Sequence, residues 1–261
     1  PHDIEFGPNE NFSADELRVR VQSLTQPSTI IDINIHDLSH NVIRQTPTPG
    51  VNLADYVSER HWATADDGTN VPYDIVRHKD HHGALPAVIY AYGSYEISLP
   101  PWFSVARLSL LDRGLAWVLV HPRGGGELGR QWYLNGKFLS KRNTFTDVIT
   151  ATKDAVSRQL IDGKKLAIRG GSAGGLMVGA CITIAPKLFA SAVAEVPFVD
   201  VVSTMSDPSL PLTITEWEEW GDPRSEPYAS YIDSYSPYDN TRPANYPAIL
   251  ITAGLYDPRV S

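Results

Sequence analysis

The sequence has a single cysteine, no run of basic residues and no long hydrophobic segment, and each of these absences excludes a class of protein. Cys181 has no second cysteine with which to form an intrachain disulfide, which predicts a reducing, cytoplasmic compartment. The longest apolar stretch, residues 176–185, is far shorter than the ~20 residues of a membrane-spanning helix. A formal net charge of -8, from 22 Lys and Arg against 30 Asp and Glu, argues against binding to phosphate backbones. The sequence therefore predicts neither a nucleic-acid nor a membrane partner.

Composition and length are those of a globular protein. Hydrophobic residues make up 42% of the 261 residues and charged residues 20%, which fits one large α/β domain, alone or with a fragment of another. Residues 1–56 are polar and contain short alternating segments, 17–21 and 29–33, that are typical of β-strands. Because such short strands cannot bury a core of their own, they predict part of a larger β structure, with a domain boundary near residue 56.

From residue 57 to residue 261 the pattern is one of alternating strands and helices. A strand is predicted over 71–75, and short runs typical of buried parallel strands occur at residues 87–92, 115–120, 166–168, 190–196 and 248–252. Between them, apolar residues from Phe145 to Leu160 recur at helical spacing, and Gly163 is the predicted end of that helix. This alternation predicts an α/β fold with a doubly wound, mostly parallel sheet.

The most specific motif is Gly170-Gly171-Ser172-Ala173-Gly174, which has the pattern G-x-S-x-G between a predicted strand and a predicted helix. A nucleophile elbow requires that context, since a sharp turn lifts the serine hydroxyl above the sheet. The same residues are also compatible with a glycine-rich turn or a phosphate-binding loop. A P-loop ends in Gly-Lys-Ser/Thr, which this motif lacks. The motif therefore favours Ser172 as a catalytic nucleophile.

A serine nucleophile needs a base and an acid that orients the base, in the chain order serine, acid, histidine. Asp257 lies in the loop after the predicted strand 248–252 and is the candidate acid; the alternative is a solvated loop aspartate. All eight histidines precede Ser172, so none has the required order. We therefore expect a chain truncated before the catalytic histidine, a base from another chain, or a noncatalytic protein.

Several further motifs resemble one family of serine peptidases. The run Tyr90-Ala91-Tyr92-Gly93-Ser94-Tyr95 is similar to the Y-G-Y-G-S-Y stretch of the prolyl oligopeptidase family, with alanine in place of the first glycine. Other runs are similar to oligopeptidase B within that family, namely residues 107–114, 123–129, 196–202 and 235–240. The resemblance covers about residues 57–261. It implies an α/β-hydrolase fold, preceded in residues 1–56 by the end of the family's β-propeller.

The resemblance also implies roles for individual residues. Ser172 corresponds to the nucleophile and Asp257 to the acid of the triad. Tyr92 corresponds to the hydroxyl that forms the oxyanion hole with the backbone N–H of Ala173, a role for which a phenol donor is suited. Arg259 corresponds to an arginine that holds a substrate carbonyl. Taken alone, the tyrosine would be interpreted as a buried strand residue and the arginine as a solvated loop cation.

Substrate preference depends on an acidic segment, Thr215-Glu216-Trp217-Glu218-Glu219-Trp220. In oligopeptidase B, carboxylates two residues apart in the similar stretch bind the arginine or lysine before the scissile bond, which implies this role for Glu216 and Glu218. The alternative is a solvated acidic loop, and the interleaved tryptophans favour a partly buried pocket. Pro100 and Trp102 replace aspartates that favour a second basic residue in that enzyme. We therefore expect cleavage after a single basic residue rather than a strong dibasic preference.

Together the motifs predict a serine peptidase that hydrolyses short peptides after Arg or Lys through an acyl-enzyme on Ser172. No metal and no organic cofactor is expected. Because no histidine follows the serine, we expect the 261-residue chain alone to be inactive or very slow. Two alternatives stay open. One is another hydrolase of the family, such as an acylaminoacyl peptidase or an esterase, and the other is a noncatalytic α/β-hydrolase fold that serves for binding.

Overall fold

Short alternating segments in the first 45 positions form a four-stranded antiparallel sheet. The computed structural model describes residues 1–257 and 259–260. The strands of this sheet are β1 (Asp3–Phe6), β2 (Glu16–Gln22), β3 (Thr29–Asn34) and β4 (His40–Gln45), and neighbours in sequence are neighbours in the sheet. The predicted strands 17–21 and 29–33 fall within β2 and β3 and are confirmed. The domain boundary near residue 56 stays a prediction.

A second sheet of seven strands contains the apolar runs. Its strands are β5 (Tyr56–Thr64), β6 (Asn70–His78), β7 (Leu85–Tyr90), β8 (Ala116–Val120), β9 (Ile161–Gly171), β10 (Ser191–Glu195) and β11 (Ala248–Thr252). They lie in the order β11-β10-β9-β7-β8-β6-β5. The pairs β7–β9, β9–β10 and β10–β11 are parallel. All five residues of β8 are buried, as expected for a strand that is covered on both faces.

Helices alternate with the strands of this sheet. In the described part of the chain they are α1 (Val105–Leu111), α2 (Arg130–Leu134), α3 (Arg142–Ser157), α4 (Ala173–Ile184), α5 (Val201–Ser206), α6 (Thr213–Trp220) and α7 (Tyr228–Asp233). Single 3₁₀ turns occur at Leu53–Asp55 and Phe138–Ser140. Helix α3 packs against β9 and α4, and α4 packs against β9 and β10. This arrangement confirms the predicted α/β class with a mostly parallel sheet.

The chain divides into two compact units, and the candidate site belongs to one of them. The first unit contains residues 1–60, 74–82 and 100–117, and the second contains residues 61–73, 83–99 and the chain from residue 118 onward.

Within the described residues, every helix falls short of the length and apolar character that crossing a membrane would need.

The predicted end of helix α3 is wrong. The helix ends at Ser157, and the chain turns at Gln159, whose φ of 58° lies in the left-handed region. Gly163 lies within β9, where a Cβ would come within 2.9 Å of the Val156 side chain. Its lack of a side chain therefore serves the close packing of strand against helix.

A buried ion pair joins the loop after β8 to helix α3. The Arg123 guanidinium donates to both carboxylate oxygens of Asp147, at 2.6 and 2.9 Å, and the Asp147 side chain is fully buried. The Arg123 backbone N–H donates to the same carboxylate at 2.9 Å. Burial raises the pKa of Asp147, and the bonds from Arg123 oppose that rise. Because a buried carboxylate is costly unless it is paired, this ion pair fixes the loop on the helix.

Loss of this guanidinium should destabilise the fold. In Arg123→Met, Asp147 loses its charged partner while it stays buried, so the free energy of unfolding should fall by about 3–5 kcal/mol. Urea denaturation of the variant and the wild type measures the difference. Lys165→Met is the matched control, because Lys165 is mostly exposed and pairs with Asp162 at 3.6 Å; such a pair contributes ~0–1 kcal/mol. Equal stability of Arg123→Met and wild type would contradict the structural role.

Candidate active site

Ser172 lies at the sharp turn between strand β9 and helix α4. Its φ of 56° and ψ of -121° lie outside the regions that non-glycine residues ordinarily adopt. The Ser172 N–H donates to the Glu195 carbonyl at 2.9 Å, and the Ser172 carbonyl accepts from the N–H groups of Gly175 at 2.8 Å and Phe198 at 3.2 Å. The predicted elbow is therefore present, and backbone hydrogen bonds hold the serine in its strained conformation.

Two glycines allow the helix to begin this close to the sheet. A Cβ at Gly170 would come within 2.3 Å of the Gly174 carbonyl oxygen, and a Cβ at Gly175 would come within 2.6 Å of the Pro197 Cα. A methyl group cannot approach backbone atoms so closely, so only hydrogen fits at these positions. The first turn of α4 consequently lies against the end of β9 and beside the serine.

Tyr92 and Ala173 line the same cavity as Ser172. Tyr92 follows β7, which pairs with β9, so the carboxyl ends of neighbouring strands bring the two residues together. The Tyr92 and Ser172 hydroxyls are within hydrogen-bonding reach, and burial raises the pKa of Tyr92 against the opposing effects of Ser172 and Arg259. The phenol is thus a neutral donor at neutral pH. Ala173 is the first residue of α4, where backbone N–H groups have no acceptor within the helix.

The cavity in front of Ser172 has a volume of about 260 Å³. Its walls are mainly aromatic and aliphatic, and its charged lining side chains are Glu216 and Arg259. Apolar walls with a few placed polar groups are typical of a binding site for a small molecule or a side chain. Among the described residues, no group of three His, Cys, Asp or Glu side chains is placed to hold a metal ion.

Glu216 is half-buried on helix α6, and its Oε2 atom accepts two hydrogen bonds. The Tyr95 hydroxyl donates to this oxygen at 2.6 Å and the Trp220 indole N–H donates at 2.9 Å. The rings of Tyr95 and Trp220 meet edge to face, with their centroids 5.7 Å apart. The carboxylate is therefore held in one orientation. Within the described residues, both hydrogen bonds to the carboxylate reach Oε2 and none reaches Oε1, so Oε1 can still accept a hydrogen bond.

Glu218 and Glu219 lie in different surroundings, although they are on the same helix as Glu216. Glu218 is exposed and lines a neighbouring cleft; it is not among the described residues that line the Ser172 cavity. Residues two apart on a helix point to different sides, whereas residues three apart share a face. The joint role of Glu216 and Glu218 stays a prediction. The sequence analysis did not single out Glu219, which is 3% exposed and, like Glu218, is not among the described residues that line the Ser172 cavity. The spacing of three residues between Glu216 and Glu219 is the sequence feature that could have indicated that they share a face of the helix.

Asp257 and Arg259 follow strand β11, in the loop that the sequence predicted. The Asp257 carboxylate accepts the backbone N–H groups of Arg259 at 2.9 Å and Val260 at 3.0 Å, and these bonds hold its pKa below the usual aspartate value. Arg259 and Val260 line the Ser172 cavity, whereas Asp257 is not among the described lining residues. No histidine lines the cavity in the described part of the chain.

Pro100 and Trp102 belong to the first unit. The Arg107 guanidinium lies over the Trp102 ring, 5.3 Å from its centroid, and donates to the Trp102 carbonyl at 2.9 Å. An arginine therefore packs against the Trp102 ring. Cleavage without a strong dibasic preference stays a prediction.

A serine at a tight strand-to-helix turn, at the carboxyl edge of a mostly parallel sheet, defines the α/β-hydrolase class of fold. Residues 101–261, more than half of the chain, match the model of the prolyl oligopeptidase family. The chain therefore belongs to the prolyl oligopeptidase family, which confirms the resemblance seen in its motifs.

Individual relatives agree with this assignment. Dipeptidyl aminopeptidase BI of Pseudoxanthomonas mexicana is 45% identical over 262 residues, with 99% of this chain and 36% of the relative covered. Protease 2 of Moraxella lacunata is 42% identical over 254 residues, with 96% and 37% covered. The structure of oligopeptidase B from Leishmania major superposes with a TM-score of 0.93 at 42% identity, with 100% of this chain and 37% of that chain covered. The chain thus spans little more than a third of the length of these relatives.

Two adjacent glycines of the elbow should respond differently to a methyl group. Gly170→Ala places a Cβ against the Gly174 carbonyl oxygen and should lower the free energy of unfolding by about 1–3 kcal/mol. Gly171→Ala is the matched control, because its Cβ would meet the nearest atom, the Glu195 carbonyl oxygen, at 3.4 Å. Urea denaturation of both variants measures the difference. A Gly170→Ala variant as stable as Gly171→Ala would show that the elbow tolerates a wider separation of helix and strand.

Proposed function

We propose that this chain provides the nucleophile and the specificity pocket of a serine peptidase that cleaves short peptides after arginine or lysine. The observation that carries the proposal is the placement of Ser172 and Glu216 in one cavity. A carboxylate with one oxygen already oriented by hydrogen bonds is a strong partner for a guanidinium or ammonium group. The names of the relatives, Protease 2 and oligopeptidase B, support a peptidase activity.

The chemistry begins at the Ser172 hydroxyl, which attacks the peptide carbonyl carbon while a base accepts its proton. Negative charge then develops on the carbonyl oxygen. The Tyr92 hydroxyl and the Ala173 backbone N–H donate to this oxygen, which stabilises the tetrahedral intermediate more than the planar substrate. Collapse of the intermediate breaks the C–N bond, the amine leaves with a proton, and the acyl group stays on the serine. Water then gives a proton to the base and attacks the acyl carbon. The second tetrahedral intermediate collapses, the bond to the Ser172 oxygen breaks, the serine regains its proton and the carboxylic acid is released.

Specificity follows from the charges around the cavity. The arginine or lysine side chain enters between the apolar walls and reaches Oε1 of Glu216. Glu218 contributes negative charge from the neighbouring cleft, at longer range. Arg259 binds a backbone carbonyl of the peptide, which places positive and negative protein groups on opposite ends of the bound residue. With Pro100 and Trp102 in place of aspartates, a single basic residue is sufficient for recognition.

Asp257 is proposed as the acid that orients the base. Its backbone hydrogen bonds keep it ionised at neutral pH, which is the state that an imidazolium partner requires. The base is proposed to be a histidine. None of the described residues that line the cavity is a histidine, so the base is a residue other than these. A cytoplasmic location is also proposed, which the single cysteine supports. Short peptides are the proposed substrates, as the resemblance to the family implies.

The proposal predicts a preference for basic reporter substrates that depends on Glu216. Peptide reporters with Arg, Pro or an acylated amino acid before the scissile bond should give the highest kcat/KM for Arg. Glu216→Gln should lower kcat/KM for the Arg reporter by about 10- to 100-fold, since a hydrogen bond between charged groups contributes about 1.5–3 kcal/mol.

Glu218→Gln is the matched control and should reduce this value far less. Higher kcat/KM for Pro or for acylated amino acids would instead favour another hydrolase of the family. An absence of turnover in an intact form of the protein, together with no labelling of Ser172 by a fluorophosphonate, would favour a noncatalytic binding protein.

The 261-residue chain alone should turn over the Arg reporter very slowly, because no imidazole lines the cavity to accept the Ser172 proton in the described residues. Loss of the base typically costs several orders of magnitude in kcat. Steady-state assays of this chain beside its Ser172→Ala variant provide the measurement. Efficient turnover that is abolished in Ser172→Ala would contradict the expectation and show that a base is already in place.

A further inference from the structure

We propose that Lys141 and Glu219 form a positioning pair that ties the oxyanion donor Tyr92 to the specificity carboxylate Glu216. The inference rests on the proposed function, because it assigns roles within the same site. Both side chains are buried, with 1% and 4% of their surface exposed, and their charged atoms lie 3.7 Å apart. Neither is among the described residues that line the Ser172 cavity, so the pair acts through other groups.

Lys141 holds the first half of the turn that follows Tyr92. Its Nζ atom donates to the Gly93 carbonyl at 2.7 Å and to the Ser94 hydroxyl oxygen at 2.7 Å. The same ammonium group lies over the Trp220 ring, 4.9 Å from its centroid. Burial lowers the pKa of Lys141 to about 8 while Glu219 raises it, so the ammonium form predominates at neutral pH. A buried ammonium thus fixes the backbone directly after the oxyanion donor.

Glu219 holds the second half of the same turn. Its Oε1 accepts the backbone N–H of Tyr95 at 3.0 Å, and its Oε2 accepts the Tyr133 hydroxyl at 2.7 Å. The Tyr95 side chain then donates to Glu216 at 2.6 Å. An unbroken series of polar contacts therefore runs from Lys141 through Glu219 and Tyr95 to Glu216.

The turn depends on such anchors because its backbone is strained. Tyr95 and Glu96 both have a φ of 59°, in the left-handed region that non-glycine residues seldom adopt. Strained residues persist only where surrounding contacts hold them in place. Without the charge pair, Tyr92 at the start of the turn and Tyr95 at its end lose their fixed separation. The two polar functions of the site, charge stabilisation at Ser172 and recognition at Glu216, then lose their alignment.

The test is a double-mutant cycle with the Arg reporter substrate in an active form of the protein, in which this chain is present together with its catalytic base. Lys141→Met keeps most of the length of the side chain and removes its charge, and Glu216→Gln removes the proposed specificity carboxylate. We expect Lys141→Met alone to raise KM and lower kcat, each by about tenfold, since small displacements of positioning groups have effects of this size. In the Glu216→Gln background Lys141→Met should still lower kcat but should leave KM unchanged.

A change of KM by the same factor in both backgrounds would overturn the inference, because Lys141 would then not act through Glu216. Lys153→Met, at an exposed position of helix α3, is the matched control and should leave both constants unchanged. If Lys141→Met does not fold, Glu219→Gln removes the opposite charge of the pair and is carried through the same cycle. Circular dichroism and the melting temperature establish that each variant is folded.

A second readout separates failure of this inference from failure of the proposed function. The rate at which a fluorophosphonate labels Ser172 depends on the oxyanion donors and not on a basic side chain in the substrate. Lys141→Met should reduce this rate about tenfold, through Tyr92. If the wild type showed no preference for Arg, the proposed specificity would be wrong while this rate still tests the pair. A labelling rate equal to that of the wild type would overturn the positioning role.

Discussion

The close approach of helix α4 to the end of strand β9 is the contact on which the rest of the site depends. Gly170 and Gly175 permit it because a Cβ at either position would collide with backbone atoms. The approach forces Ser172 into a strained conformation, which the hydrogen bond to the Glu195 carbonyl on β10 maintains. It also places the Ala173 N–H beside the serine. A parallel neighbour, β7, then delivers Tyr92 to the same edge of the sheet. Local strain and sheet order together bring the proposed nucleophile, Ser172, next to its proposed oxyanion donors.

Helix geometry sorts the three carboxylates of α6 into three environments. Glu219 is buried among polar partners, Glu216 is half-buried with one oxygen oriented, and Glu218 is exposed. Of the three, only Glu216 combines a fixed orientation with access to a ligand. The oxygens of the buried Glu219 already accept hydrogen bonds from the protein, and the charge of the exposed Glu218 is screened by solvent. For the proposed specificity, the side of helix α6 on which each acidic residue lies therefore matters more than the number of acidic residues.

Features that depend on local sequence could be predicted, and those that depend on distant packing could not. The elbow at Ser172 was predictable because its glycines, strand and helix are adjacent in sequence. Gly163 was misassigned because a glycine near a helix end has the same local signature as one that packs beneath a helix, here against Val156. Nothing in the local sequence around Lys141 indicates that this side chain is buried. Its burial depends on Gly93 and Glu219, which are far away in sequence, and a lysine without such partners would be exposed.

In the proposed function, one short turn connects substrate recognition to the chemical step. Tyr92 contacts Ser172 and Tyr95 donates to Glu216, so the proposed binding of a substrate cation at Glu216 involves the segment that carries the proposed oxyanion donor. Such an arrangement directs binding energy from the substrate side chain toward the transition state, which raises kcat as well as affinity. An uncharged substrate that fills the cavity without engaging Glu216 gains the contact with the apolar walls but not this alignment. The proposed function therefore predicts that discrimination between substrates arises in the chemical step and exceeds what the difference in binding alone provides.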